Sequence, residues 1–200
     1  MGRFVVLEGL DGAGTTTQAA LLVAHLGATG RRAIQTAEPT AGPIGRAIRD
    51  VLRSDPAAAD RSALPWMFAA DRRDHLARTV EPALDRGDWV VSDRYFHSSL
   101  AYQSLDWPLD DVARLNDRFR VPDLTVFIDV DVDVALGRIA RRGGAVEWYE
   151  ADDRLRRVAK AYRSVLRWVG DRGDTVVVVS GELPVAEVSA AVFAAVDALT

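Results

Sequence analysis

The sequence predicts an α/β fold, a doubly wound parallel sheet of five strands flanked by helices. Three observations predict it. Short runs rich in valine and isoleucine alternate with helical stretches from one end of the chain to the other. Those runs read as strands buried on both faces, as the strands of a parallel sheet are. The first run also passes through a glycine-rich turn straight into a helix, and that order continues along the chain as right-handed crossovers.

The first strand is Phe4–Leu7 and the first helix Thr16–Thr29. Between them lies Gly9-Leu10-Asp11-Gly12-Ala13-Gly14-Thr15-Thr16-Thr17. The pattern G-x-x-x-x-G-K-[ST] after a strand and before a helix marks a phosphate-binding loop. Gly9, Gly14 and Thr16 fall where the pattern wants them, but position 15 holds threonine instead of lysine. Glycine at 9, 12 and 14 lets successive N–H groups turn inward as an anion nest. The following helix adds its positive N-terminal end. Neither feature needs lysine. Lysine adds a mobile positive charge on the transferring phosphate oxygens, and a threonine hydroxyl carries none. The loop therefore names its ligand, and some other cation must do the missing work or the rate suffers.

The second strand, Ala33–Thr36, runs into Ala37-Glu38-Pro39-Thr40. Ligands of such sheets bind at the carboxyl ends of the strands, so Glu38 is placed to reach the cleft. Position alone does not separate that reading from a solvated loop carboxylate. After a helix at Ile44–Arg53, a long helical stretch at Ser62–Asp85 carries Phe68 and Arg72 at i, i+4, on one face. A ring beside a guanidinium suits a nucleobase. Taken alone, the pair reads more readily as a core phenylalanine next to a surface arginine.

The Arg86-Gly87-Asp88 turn leads to the third strand, Trp89–Ser92, and then to Asp93-Arg94-Tyr95. An acidic residue at the end of that strand occupies the place of a Mg²⁺-organising carboxylate, and Arg94 beside it suits a phosphate; the strand-end position favours this over a structural Asp–Arg ion pair. The helix at about His97–Gln103 carries Ser98, Ser99, Tyr102 and Gln103, a polar cluster placed where it could line the same cleft. A helix at Asp110–Phe119 has Asp110 as its expected cap. The fourth strand, Leu124–Val130, ends among Asp129, Asp131 and Asp133, which read as a turn with helix capping before they read as a metal site. Arg138, Arg141 and Arg142 lie at i, i+3, i+4 on the helix Val132–Arg141. They present a cationic face next to the Gly143-Gly144 break, which suits a short lid around 141–150 closing over ATP; taken alone, such a face reads more readily as a solvated basic surface. The helix Ala151–Val169, the turn Asp171–Asp174, the strand Thr175–Val179 and the helix Val185–Leu199 complete the order, with Pro184 where a first helical turn accepts proline.

The chain has 200 residues, enough for one domain with a full core, and the whole of 1–200 is expected to form it. A net charge of −4 argues against a nucleic-acid binder. The absence of cysteine excludes disulfides, thiolate nucleophiles and cysteine-based zinc sites. No apolar run reaches membrane-spanning length, and the chain enters its first strand at once, so a cytoplasmic protein without a signal peptide or membrane partner is expected. His25, His75 and His97 stand singly with no metal-ligand spacing and are assigned no chemistry.

Together these segments resemble the thymidylate kinase family over nearly the whole chain. The resemblance is carried by Gly9-Leu10-Asp11-Gly12-Ala13-Gly14, Glu38-Pro39, Phe68-Ala69-Ala70-Asp71-Arg72, Asp93-Arg94-Tyr95 with Ser98-Ser99 and Ala101-Tyr102-Gln103, and Pro122-Asp123-Leu124. It implies a P-loop nucleoside monophosphate kinase that moves the ATP γ-phosphate to dTMP with Mg²⁺, and a homodimer. Loop residues 9–17 and Arg138 would hold ATP, with Thr16 and Asp93 on the metal. Phe68 would stack on thymine, Arg72 would hydrogen-bond it, and Tyr102 would lie against the sugar and disfavour a 2′-hydroxyl. Arg94 would hold the acceptor phosphate, and Asp11 would approach the sugar hydroxyl or the metal region. Glu38, Ser98, Ser99 and Gln103 would complete the acceptor site. Members with glycine at position 12 usually place a catalytic arginine in the lid, here Arg141 or Arg142. Two positions depart from the family pattern. Thr15 replaces the loop lysine, and Ala37 replaces an arginine common before Glu-Pro. The alternatives are a nucleotide-binding protein without catalysis and a kinase of another deoxynucleoside or its monophosphate.

Overall fold

The structure, a computed structural model, describes residues 2–54, 60–143 and 152–199. The elements run β1 Phe4–Gly9, α1 Thr15–Ala28, β2 Ala33–Ala37, α2 Pro43–Arg53, α3 Leu64–His75, α4 Glu81–Asp85, β3 Trp89–Asp93, α5 Phe96–Gln103, α6 Leu109–Asn116, β4 Leu124–Asp129, α7 Val132–Arg142, α8 Asp152–Gly170, β5 Val176–Ser180 and α9 Val185–Asp197. The strands form one parallel sheet in the order β2-β3-β1-β4-β5. This is the doubly wound α/β fold that the alternation of runs predicts.

β1 is central, and every residue in it is buried, in keeping with the apolar run Phe4–Leu7. Its neighbours β3 and β4 connect on opposite sides of it. α1 and α9 pack together on one face of the sheet, and α5 and α8 pack together on the other. The strand order therefore switches at β1, and the crevice at the carboxyl ends of β1 and β3 opens there. Gly9, Asp93 and the residues after Ala37 all reach that crevice.

Four local readings are corrected. The stretch at Ser62–Asp85 is not one α-helix. A 3₁₀ turn at Arg61–Ala63 precedes α3, and a π-helical turn at Leu76–Val80 separates α3 from α4. Pro82 has no N–H for the ordinary ladder, and the chain widens just upstream so that the Glu81 N–H bonds the Leu76 carbonyl. Asp110 is not a cap: Pro108 holds that position and Asp110 lies in the first turn of α6. α6 also stops at Asn116, whose side-chain amide donates to the Val112 carbonyl at 2.7 Å. Pro184 occupies the cap position of α9 and not its first turn.

By contrast, Asp131 caps α7 as the capping reading has it, accepting from the Asp133 N–H at 2.8 Å. Of the lid expected around 141–150, residues 144 onward lie outside the described residues. No helix among the described residues is long and apolar enough to cross a membrane.

Candidate active site

The loop between β1 and α1 has the backbone that a phosphate nest requires. Gly12 and Gly14 have φ of 86° and 94°, in the left-handed region that favours glycine. A Cβ on Gly12 would stand 2.5 Å from the Ala135 carbonyl oxygen of α7, so the close approach of α7 demands glycine as well. Thr15 is buried, with its methyl group beside Gly9. Thr16 and Thr17 are exposed at the start of α1.

Thr16 donates its hydroxyl to Asp93 Oδ2 across the β1–β3 crevice. Asp93 Oδ1 is buried and has no hydrogen-bond partner among the described residues. An anionic oxygen left bare in a buried position calls for a cation or a donor.

Arg94 follows Asp93 with φ of 72°, a conformation that non-glycine residues adopt rarely and that clusters at functional sites. The strand end thereby turns and sends the guanidinium back over the crevice. Its Nη2 donates to Asp11 Oδ1 at 2.9 Å, and its Nη1 donates to the hydroxyls of Ser98 at 3.1 Å and Tyr162 at 3.3 Å. The Tyr102 ring lies under it, 5.2 Å from the guanidinium carbon. Burial works against the charge, but the surrounding phenols and the Asp11 and Glu8 carboxylates outweigh it and hold the cation well above the ordinary arginine range. Asp11 accepts from both Arg94 and the Tyr102 hydroxyl, the latter at 3.0 Å. One residue of the phosphate loop is thus shared with the neighbouring cleft.

That cleft is lined by Asp11, Glu38, Pro39, Leu52, Phe68, Arg72, Arg94, Tyr95, Ser98, Ser99, Tyr102 and Gln103. Apolar rings and a few convergent polar groups line it, as they line small-molecule sites. Arg72 is 1 % exposed, which overturns the reading of a surface arginine. Its Nε and Nη2 both reach Glu38 Oε2, at 2.9 and 2.7 Å, its Nη2 also donates to Ser99 Oγ at 2.9 Å, and its Nη1 bonds the Asn116 side-chain oxygen. Glu38 Oε1 meets His75 Nδ1 at 2.9 Å, and His75 Nε2 meets the Thr36 hydroxyl at 2.7 Å. Glu38 is therefore a buried carboxylate and not a solvated loop residue. The Glu38–Pro39 peptide bond is cis. Phe68 is half-buried and lines the same cleft, and Gln103 donates to Ser99 Oγ at 3.3 Å.

The three arginines of α7 do not act as one face. Arg138 lies on the phosphate loop and donates to the carbonyls of Gly12 at 3.3 Å, Ala13 at 3.4 Å and Gly181 at 2.8 Å. Arg141 and Arg142 are exposed at the C-terminal end of the helix.

Sequence reasoning missed Glu8, Tyr162, Asn116 and His75. Glu8 had a signal: a carboxylate inside an otherwise apolar, buried strand must find partners. It finds four. Oε1 accepts from the N–H groups of Tyr95 at 2.8 Å and Ser98 at 3.2 Å, and Oε2 from the hydroxyls of Ser98 at 2.6 Å and Tyr162 at 2.9 Å. α5 has no side-chain cap of its own, and Glu8 supplies one from β1. Burial, and after it the Glu8 carboxylate, push the Tyr162 phenol well up, so it remains a donor. Tyr162 and Asn116 enter from α8 and α6, far along the chain, and no local pattern marks them.

The model for the family described as thymidylate kinase matches residues 7–192. The chain belongs to the thymidylate kinase family. Members of this family are ATP-dependent phosphotransferases. A probable thymidylate kinase of Thermococcus gammatolerans is 41% identical over 175 residues, covering 81% of this chain and 82% of that one. A thymidylate kinase of Burkholderia vietnamiensis is 44% identical over 153 residues, 72% of each chain. A putative thymidylate kinase of Aeropyrum pernix is 40% identical over 180 residues, 90% of this chain and 86% of that one.

Proposed function

We propose that this member of the thymidylate kinase family transfers the ATP γ-phosphate to dTMP through a phosphate loop that lacks its lysine. The observation that carries the reading is the pair of hydrogen bonds that Asp11, from the phosphate loop, accepts from Arg94 and Tyr102 of the adjoining cleft. A donor loop and an acceptor cleft joined at one residue suit in-line transfer, in which positioning and charge carry the catalysis.

In this reading the loop N–H groups and the α1 N-terminus cradle the ATP phosphates. Arg138 steadies the loop from outside by holding its carbonyls. Phe68 and Arg72 receive the base, with Arg72 held in place by Glu38, Ser99 and Asn116. Tyr102 stands beside the sugar, and Arg94 takes the acceptor phosphate. Mg²⁺ fits the bare Asp93 Oδ1 and the Thr16 hydroxyl, a small oxygen set of the kind that ion accepts while keeping water and phosphate oxygens. When bound, it supplies positive charge on the β- and γ-phosphate oxygens. The charge missing at Thr15 is assigned to Arg141 or Arg142 of the lid around 141–150, within a single domain spanning 1–200. The same reading includes a homodimer and a cytoplasmic location, where ATP is at hand.

The test is ADP formation from ATP, Mg²⁺ and dTMP by the wild type beside Thr15→Lys. Turnover by the wild type that requires dTMP supports the kinase. Thr15 itself favours a second reading, a nucleotide-binding protein without catalysis: no wild-type turnover, with activity restored by lysine, would establish it. Faster turnover on another monophosphate or a deoxynucleoside in acceptor competition would move the substrate assignment instead.

A further inference from the structure

Tyr162 of α8 is 0 % exposed. Its ring packs edge-on against Tyr102, with centroids 5.8 Å apart, and against Phe127 at 5.1 Å. Its hydroxyl lies where two opposite charges meet. Glu8 Oε2 is 2.9 Å from it and Arg94 Nη1 is 3.3 Å from it. The Ser98 hydroxyl makes the same two contacts, at 2.6 and 3.1 Å. Two hydroxyls from two helices, α5 and α8, thus bridge the carboxylate to the guanidinium.

Charge fixes the direction of these bonds. A guanidinium only donates, a carboxylate only accepts, and each hydroxyl has one proton. Both protons therefore go to Glu8, and both oxygens accept from Arg94. The two hydroxyls are also 2.9 Å apart. A proton placed between them would leave one bare oxygen against a full, buried negative charge. That costs more than two hydroxyl oxygens side by side under the N–H groups of a cation. The phenol, kept protonated by burial and then by Glu8, is a lasting donor.

The N–H groups of Arg94 can then be assigned. Nη1 has two hydrogens and faces two hydroxyls, Nη2 has two and faces one Asp11 oxygen, and Nε faces no acceptor among the described residues. The Nε hydrogen and one Nη2 hydrogen remain, and such an edge matches two phosphate oxygens.

We propose that Tyr162 is a positioning residue: its hydroxyl, anchored on Glu8, holds Nη1 of Arg94 and so leaves the Nε–Nη2 edge for the acceptor phosphate. The inference rests on the assignment of Arg94 to that phosphate. It gives α8 a part in acceptor binding, although none of the residues lining the cleft comes from that helix.

The experiment is titration calorimetry of dTMP and thymidine with the wild type, Tyr162→Phe and Arg94→Met, with folding checked by circular dichroism. Phenylalanine keeps the ring and its packing, so a residue that only fills the core leaves the preference for dTMP over thymidine unchanged. We expect Tyr162→Phe to lose about tenfold in dTMP affinity, with thymidine affinity changed by less than about twofold. Arg94→Met should lose at least as much of the preference. An unchanged preference in Tyr162→Phe beside a lost one in Arg94→Met overturns this proposal alone, as do parallel losses for dTMP and thymidine in Tyr162→Phe. An unchanged preference in Arg94→Met refutes the assignment of Arg94, and the proposal with it. Should Tyr162→Phe fail to fold, NMR of the wild type decides. The Arg94 Nε–H resonance, identified by its absence in Arg94→Met, should move with dTMP and not with thymidine, while the Nη1 hydrogens keep their nuclear Overhauser contacts to the Tyr162 ring. A stationary Nε–H, or loss of those contacts when dTMP binds, overturns the proposal. Binding needs no turnover, so an inactive wild type would refute the kinase reading and leave this comparison decisive. If another monophosphate proves to be the acceptor, it and its nucleoside replace dTMP and thymidine as the probes.

Discussion

Removing one partner of the Glu38–Arg72 pair should destabilise the protein more than removing both. The two side chains are 2 % and 1 % exposed, and two guanidinium nitrogens share one carboxylate oxygen. Arg72→Met leaves Glu38 facing only His75, and Glu38→Gln leaves a buried cation with neutral neighbours. Breaking a buried pair from one side costs about 3–5 kcal/mol. At 200 residues each kcal/mol moves the melting temperature by about 2–4 °C, so each single variant should melt about 6–20 °C lower. The double variant Glu38→Gln/Arg72→Met removes both charges together. It should cost no more than either single change, giving a coupling of at least about 3 kcal/mol. The assay is calorimetric unfolding of the four proteins at neutral pH. Additivity within about 0.5 kcal/mol would refute the reasoning, because it would mean that the two groups do not share one buried site. dTMP binding should fall in both proteins that lack Arg72, whatever their stability.

Other consequences are testable in the same way. Arg141→Ala and Arg142→Ala, made together, should lower kcat by about a hundredfold with little change in dTMP affinity, if the lid carries the charge absent at Thr15; unchanged turnover would remove that assignment. Gly12→Ala should raise ATP KM and cost about 2 kcal/mol or more in unfolding experiments, because it combines a left-handed φ with a Cβ driven onto the Ala135 carbonyl. Asp93→Asn should raise the Mg²⁺ concentration needed for half-maximal activity while leaving metal-free dTMP binding intact; equal Mg²⁺ requirements in both proteins would take Asp93 out of the metal site. Tyr102→Phe should cost less than about 1.5 kcal/mol in stability and lower kcat by freeing Asp11, with turnover on UMP as the check on sugar discrimination.

The sequence by itself determined the order of the sheet-forming runs, the phosphate loop and the clustering of Asp93, Arg94 and the α5 hydroxyls, because each is written in contiguous residues whose periodicity or spacing has one structural meaning. It also exposed the loop's missing charge at Thr15. It misread helix ends where a proline or a side-chain amide rewrites a few hydrogen bonds, as at Pro82 and Asn116. Only the tertiary structure decided what surrounds the buried charges. Arg72 reads as a surface residue until Glu38, Ser99 and Asn116 converge on it from three separate segments. Glu8 caps a helix some ninety residues away. His97 carries no motif, yet it sits between Glu8 and Asp174. A buried charge is stable only with its partners in place, and those partners come from elements that the fold, and not the local pattern, brings together.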